Sequence, residues 1–136
     1  MKELTVPANV ESIAPVTDFV NAELDNYDCA MKARIQLDVA IDELFGNIAH
    51  YAYQNDDDAA TVRLEVTQEP LCATLTFIDN GKPFNPLETE EPDTALSAQE
   101  RKIGGLGIFI VKKTMDRLDY RYCNGQNVVT IEKKLR

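Results

Sequence analysis

Apolar residues recur with a helical period through one long segment of the chain. They fall at i, i+4, i+7, i+11 and i+15, at Leu37, Ile41, Leu44, Ile48 and Ala52. This spacing predicts a helix that turns one face to a core. Two polar residues one turn apart, Glu43 and Asn47, lie at the edge of that face. Polar groups in such a place need partners or carry chemistry, but the pair alone is better explained as tolerated polar residues at a boundary.

Two further helices are predicted from the same periodicity. The first is capped by Asn9 or Ser12 and runs to about Leu24. The long helix with the Glu43/Asn47 pair opens at Asp28 or Cys29 and ends before Asn55. The third covers residues 108–118, with a buried face formed by Ile108, Val111, Met115 and Leu118.

Alternating or continuous apolar runs predict five strands. These are residues 2–6, 61–67, 71–78, 119–123 and 128–135. The turn Glu69-Pro70 joins the second strand to the third, and residues 124–127 join the fourth to the fifth as a hairpin. The order β-α-α-β-β-lid-α-β-β predicts an α+β fold in two layers, a mixed and mostly antiparallel sheet with helices on one face. A length of 136 residues predicts a single domain, 1–136.

Residues 82–103 have a different character. They contain three prolines, many acids and little apolar periodicity. A stretch of this kind in a compact domain is typical of a functional lid or of a disordered segment. It is followed by Gly104-Gly-Leu-Gly107 at the start of the third helix.

The composition of the chain limits the classes of molecule that it is expected to bind and the compartment in which we expect it. The net charge of −9 and the absence of a basic face argue against nucleic-acid binding, and fit either basic protein partners or a solvated acidic exterior. Three widely spaced cysteines without a C-x-x-C pair predict buried free thiols in a reducing cytosol. No segment approaches the roughly 18 apolar residues of a membrane span, and we expect a cytoplasmic protein.

Two loop motifs have ligand-binding chemistry. Asp79-Asn-Gly81 follows an apolar strand, where an aspartate can accept a hydrogen bond from a ligand amine and a glycine admits a flat ring. Taken by itself, Asp-Asn-Gly is more often an ordinary turn that ends a strand. Consecutive glycines at a helix start free backbone N–H groups to bind an anion. The glycines lack the Gly-Lys-Ser/Thr of a P-loop and follow a loop instead of a strand.

Together these motifs resemble the GHKL (Bergerat-fold) ATP-binding superfamily. Glu43-x-x-x-Asn47 is similar to its N box, Asp79-x-Gly81 to its G1 box and Gly105-Leu-Gly107 to its G2 box. The resemblance runs from about Asn9 to Leu135. Within the superfamily, the chain is most similar to the stand-alone anti-sigma factor serine/threonine kinases.

The resemblance implies ATP and Mg²⁺ as cofactors and a role for each motif. Glu43 would be the general base and Asn47 a ligand of Mg²⁺ on the ATP phosphates. Asp79 would bind the adenine amine, with Gly81 packed against the ring. Phosphate contacts would come from the residues around the glycines, namely Gly104, Gly105, Leu106, Gly107 and Ile108. Arg101 and Lys102 would pair with the triphosphate, or simply form an exposed lid edge.

The chain departs from the family pattern at two places. The family has a Gly-Thr pair at the start of the last strand, whose threonine supports the adenine aspartate. Here the sequence reads Gln126-Asn-Val-Val-Thr130, and Thr130 is not assigned that role. The family often has histidine where this chain has Tyr51, and His50 has no aligned role.

The implied function is an anti-sigma factor with serine-protein kinase activity. It would phosphorylate an anti-sigma factor antagonist, sequester a sigma factor and work as a homodimer. Two alternatives remain: a nucleotide-dependent protein-binding module with little phosphotransfer, and a histidine-kinase-type catalytic domain. The second lacks a separate phosphoacceptor histidine and a dimerisation helix pair in this sequence. A topoisomerase- or mismatch-repair-type ATPase would need a further transducer domain.

Overall fold

The computed structural model describes residues 1–52, 58–88 and 105–136. Its strands are β1 (Lys2–Pro7), β2 (Ala59–Gln68), β3 (Leu71–Asp79), β4 (Arg117–Cys123) and β5 (Gln126–Lys134). Its helices are α1 (Ile13–Leu24), α2 (Met31–Asn47) and α3 (Gly105–Thr114). Two short 3₁₀ turns, Val10–Ser12 and Pro86–Glu88, and a π-helical turn, Ile48–Ala52, complete the described elements.

The five strands form one sheet in the order β1-β2-β3-β5-β4, and every neighbouring pair is antiparallel. The α+β prediction is confirmed, and the sheet that was expected to be mixed contains only antiparallel pairs among these strands. Side chains alternate between buried and more exposed along β2 and β3, as expected when one face of a sheet is covered.

The helices cover that face. The core is a single cluster to which α1, α2, α3 and the central strands all contribute. Its largest fully buried side chains include Phe45 from α2, Phe77 from β3 and Leu24 from α1. The helices therefore form the second layer, and α2 packs against both α1 and α3.

The apolar stripe of the long helix is confirmed. Leu37, Ile41, Leu44 and Ile48 are all at most 6% exposed. The helix begins later than expected, because Ala30 occupies the N-cap position in place of Asp28 or Cys29. Its α-helical hydrogen bonding ends at Asn47, and a π-helical turn follows over Ile48–Ala52.

The predicted third helix was wrong at its C-terminal end. It was expected to reach Leu118, but α3 stops at Thr114 and Leu118 belongs to β4. The helix does not continue because the chain pairs with β5 after Met115. There the Asp116 N–H donates to the Glu132 carbonyl at 2.9 Å. The Asp116 carboxylate also accepts a hydrogen bond from the Lys134 N–H. Apolar spacing could not reveal this change, since Met115 and Leu118 pack on the core and their spacing is also that of one helix face.

The β4–β5 hairpin is confirmed, with a tighter turn than predicted. Only Asn124 and Gly125 lie between the strands, and both have positive φ angles, of 53° and 76°. This is the backbone of a two-residue turn that matches the twist of the flanking strands, and Asn-Gly is its preferred sequence.

Two smaller findings bear on the setting of the protein. None of the helices in the described ranges is both long and apolar enough to cross a membrane. Cys29, Cys72 and Cys123 are free thiols, half-buried instead of fully buried.

Candidate functional site

Glu43 and Gly107 lie against each other where α2 packs on α3. A methyl group placed on Gly107 would stand 2.0 Å from Glu43 Oε2 and 2.6 Å from Oε1. No real Cβ tolerates such a distance, so only glycine leaves room for the carboxylate in this position. The structure therefore brings the predicted N-box glutamate to the predicted G2-box glycine, which are 64 positions apart in the sequence.

The environment of Glu43 favours its protonated form more than water does. Partial burial raises the pKa of the Glu43 carboxyl above its ordinary value, and the negative charge of Asp42 raises it further. A carboxylate with a raised pKa is a stronger base, which suits a group that accepts a proton near neutral pH.

Asn47 lies at the last turn of α2, one turn beyond Glu43. It is only 8% exposed, and its Nδ2 atom is buried without a hydrogen-bond partner in the described part of the chain. Burying a polar amide without partners costs free energy. Because the amide can rotate to present its oxygen, an unsatisfied Asn47 is suited to hold a group that arrives with the ligand.

The carboxylate of Asp79 is held at the end of β3. Asp79 is 3% exposed, and the Gly81 N–H donates to its Oδ1 at 2.9 Å. Burial raises the pKa of the Asp79 carboxyl, while hydrogen bonds from Asn127 and Gly81 oppose that rise. Asp79 and Gly81, which the sequence analysis assigned to a base-binding pocket, thus form one compact turn.

Asn127 joins this turn from the neighbouring strand. It stands directly opposite Asp79 in the β3–β5 register, and its Nδ2 donates to Asp79 Oδ1 at 2.9 Å. Asn127 was not among the predicted site residues, because no residue pattern identifies it. Only the strand register does, and a correct alignment of β5 on β3 could have found it. Thr130 instead pairs with Thr76, three positions further along β5, so its side chain projects from the opposite face of the sheet.

The glycines open a helix as predicted. Gly105 is the first residue of α3, and the first four N–H groups of a helix have no partner within it. Ile108 is 2% exposed and anchors this turn in the core, which fixes the direction of those groups. Arg101, Lys102 and Gly104, together with most of the predicted lid at 82–103, lie outside the described residues.

The side chains of the site fit a metal ion that is bound largely through the phosphates of a nucleotide. Within the described residues, no group of three or more His, Cys, Asp or Glu side chains could bind a metal ion. The amide oxygen of Asn47 is one hard ligand of the kind that Mg²⁺ accepts, and phosphate oxygens are others.

Comparisons with known proteins identify the family of the chain. Residues 6–133 match the family described as the histidine kinase-like ATPase domain. The chain is 28% identical over 100 residues to the serine/threonine-protein kinase BtrW of Bordetella bronchiseptica, which covers 74% of this chain and 70% of BtrW. It is 30% identical over 99 residues to the serine-protein kinase RsbW of Listeria monocytogenes, covering 68% of this chain and 61% of that protein.

Two solved structures share the fold. A crystal structure of the RsbU and RsbW domains of a Mycobacterium tuberculosis protein matches 99% of this chain and 33% of that one, with a TM-score of 0.65 and 13% identity. The histidine kinase domain of a blue-light-activated kinase from Erythrobacter litoralis matches 96% of this chain and 62% of that one, with a TM-score of 0.57 and 12% identity.

The resemblance found in the sequence is thereby confirmed, and the curated relatives are serine kinases of the expected kind. The family match extends over nearly all of the described strands and helices. The chain belongs to the histidine kinase-like ATPase domain family.

Proposed function

We propose that this chain is an ATP-dependent serine-protein kinase that acts as an anti-sigma factor. The observation that supports this proposal most is the contact between Glu43 and Gly107. It places a carboxylate with a raised pKa beside the helix N-terminus that would bind the phosphates. A base and an anion site side by side are what phosphoryl transfer to a hydroxyl requires.

Each part of the site has a role in the proposed reaction. The unpaired N–H groups around Gly105, Leu106, Gly107 and Ile108 hold the phosphates at the positive end of α3. Arg101 and Lys102, which precede the glycines in the sequence, would add positive charge for the triphosphate. The Asp79 carboxylate accepts a hydrogen bond from the adenine amine, and Gly81 lets the ring approach.

Glu43 accepts the proton of a serine hydroxyl. As it does so, the serine oxygen forms a bond to the γ-phosphorus, and the bond from that phosphorus to the bridging oxygen of ADP breaks. Asn47 would contribute its amide oxygen to Mg²⁺, which neutralises phosphate charge when bound. The raised pKa of Glu43 makes proton acceptance near neutral pH effective.

The surface of α2 supports a protein substrate. Met31, Ile35 and Val39 follow one another at intervals of one turn and are 70%, 55% and 39% exposed. The next residue in this row is Glu43. Exposed apolar rows of this kind are typical of protein-binding surfaces. A protein that lies along this row reaches the proposed base.

The proposed partners are an anti-sigma factor antagonist, which supplies the serine, and a sigma factor, which the chain holds when the antagonist is phosphorylated. We propose that the chain works as a homodimer in the cytoplasm. The net charge of −9 suits protein partners with basic surfaces and opposes direct nucleic-acid binding.

The test is transfer of phosphate from γ-labelled ATP to the antagonist in the presence of Mg²⁺, with wild type and Glu43→Gln. We expect labelled serine with wild type only, and ATP binding by both proteins. Tight ATP binding by wild type without any transfer would contradict the kinase proposal and favour a nucleotide-dependent binding module. Label on a histidine would indicate a histidine-kinase-type domain.

A further inference from the structure

Asn127 is a buried polar side chain that several hydrogen bonds hold in place. It is 2% exposed and takes part in hydrogen bonds through both ends of its amide. Its Oδ1 accepts from the Tyr120 hydroxyl at 2.5 Å and from the Phe84 N–H at 3.0 Å. Its Nδ2 donates to Asp79 Oδ1 at 2.9 Å and to the Lys82 carbonyl at 2.7 Å. A longer contact of 3.5 Å runs from Nδ2 to the Gly81 carbonyl. An amide carries both the donor and the acceptor that these partners require.

The partners also fix which way the amide points. The Phe84 N–H can only donate and the Lys82 carbonyl can only accept. If the amide of Asn127 were turned over, two donors would face each other at Phe84 and two acceptors would face each other at Lys82. The orientation therefore follows from the backbone on either side and does not depend on an arbitrary choice of amide rotamer.

The two carboxylate oxygens of Asp79, Oδ1 and Oδ2, differ in their hydrogen bonds. Both hydrogen bonds that reach the carboxylate from the described residues, one from Gly81 and one from Asn127, end on Oδ1. Oδ2 is left to accept a bond from a ligand. A buried carboxylate held at one oxygen cannot rotate without breaking two hydrogen bonds, each to a charged group and therefore strong.

We propose that Asn127 is the positioning residue for base recognition, which holds Asp79 Oδ1 so that Oδ2 faces an adenine amine and fixes the backbone of residues 82–84 beside the same pocket. This inference rests on the proposed ATP-binding function. Adenine presents an amine donor at its six-position, whereas guanine presents an oxygen acceptor there. A carboxylate oxygen fixed in place accepts from the first and repels the second.

Tyr120 allows the proposal to be tested without removing the amide. Its hydroxyl donates to Asn127 Oδ1 and also interacts with the backbone of Phe84, so Tyr120→Phe deletes the contacts of this hydroxyl and leaves the ring in place. Tyr122 lies two residues along the same strand, is 44% exposed and has no part in the network. Tyr122→Phe is therefore a matched control.

The experiment measures the affinities of Mg-ATP, Mg-GTP and Mg-tripolyphosphate for wild type, Asn127→Ala, Tyr120→Phe and Tyr122→Phe. Tripolyphosphate reports on the phosphate site alone. We expect Asn127→Ala to lose roughly tenfold or more in ATP affinity, with tripolyphosphate affinity unchanged and the ATP-to-GTP ratio reduced. Tyr120→Phe should change the ratio in the same direction by a smaller factor, and Tyr122→Phe should not change it.

Amide hydrogen exchange gives a readout without ligand. The Phe84 N–H should exchange faster in Asn127→Ala than in wild type, because the Asn127 oxygen that accepts its hydrogen bond has been removed. An unchanged ATP-to-GTP ratio in Asn127→Ala would overturn the inference while leaving the proposed function intact, and so would an equal loss of ATP and tripolyphosphate. If Asn127→Ala does not fold, an unchanged ratio in Tyr120→Phe would overturn it. Failure of wild type to bind ATP would overturn both proposals.

Discussion

Gly107→Ala separates the placement of the base from the binding of ATP. The new methyl group would stand 2.0 Å from Glu43 Oε2 and 2.1 Å from its Cδ. The carboxylate is the far end of a flexible side chain, so it moves aside and the two helices keep their packing. To reach an ordinary contact of 3.4 Å it must retreat by about 1.4 Å.

Moving the Glu43 carboxylate by this distance should change the free energy of unfolding little and the rate of phosphoryl transfer strongly. A side chain pushed off its rotamer costs about 0.5–1.5 kcal/mol, and replacing a helical glycine by alanine returns up to about 1 kcal/mol. The free energy of unfolding should therefore change by no more than about 1 kcal/mol. A reacting group displaced by about 1 Å loses roughly 100-fold in rate. The substitution leaves in place the backbone N–H groups that we propose bind phosphate.

The assay is steady-state phosphorylation of the antagonist, together with ATP affinity and denaturant unfolding. We expect kcat to fall by roughly 100-fold and ATP affinity to stay within about threefold of wild type. Gly46→Ala is the matched control, since nothing lies within 4 Å of a Cβ at that helical position. It should be more stable by about 0.5–1 kcal/mol and keep its kcat. A folded Gly107→Ala protein with wild-type kcat would refute the assignment of Glu43 as base.

Three further predictions follow from the same geometry. Because burial and Asp42 raise the pKa of Glu43 and only the ionised carboxylate accepts a proton, kcat should rise with pH through a value above the usual glutamate range. Asp42→Asn should move that inflection to lower pH in a kcat–pH profile. Asn47→Ala should weaken ATP binding by at least about tenfold in the presence of Mg²⁺ and leave binding in EDTA unchanged, as measured by calorimetry. Ile35→Ser should raise the KM for the antagonist and leave ATP affinity unchanged; an unchanged KM would argue against docking along α2.

The fold was largely predictable because its elements have strong local patterns. The stripe of α2 and the alternation along β2 specify which faces are buried, and Asn124-Gly125 specifies a tight hairpin. The end of α3 was not predictable from apolar spacing, since Met115 and Leu118 both pack on the core and their spacing is also that of one helix face. The end of the helix is determined by the pairing of Asp116 with β5, a contact between residues distant in the sequence.

The candidate site was predictable where its residues form sequence motifs. Glu43, Asp79 and Gly107 were identified in this way, although only the packing of α2 on α3 shows how close Glu43 and Gly107 lie. Asn127 was not among the predicted site residues, because its contact with Asp79 depends on the register of β5 against β3. A hydrogen-bonded network across two strands has no signature in either strand alone.

The central claim is that Asp79 recognises the base of ATP, and Asp79→Asn tests it most directly. The asparagine can place its amide oxygen where Oδ1 lies and keep the hydrogen bonds from Gly81 and Asn127. Its amide nitrogen then replaces Oδ2, so a donor faces the adenine amine. Because burial raises the pKa of Asp79, the ionised carboxylate costs folding stability at neutral pH, and its neutral replacement should not destabilise the fold.

The measurement is the affinity of Mg-ATP for wild type and Asp79→Asn at pH 7.5, with thermal unfolding of both proteins as a control. We predict that the variant melts at or above the wild-type temperature and binds ATP about 10- to 100-fold more weakly. Equal ATP affinities in two folded proteins would contradict the account.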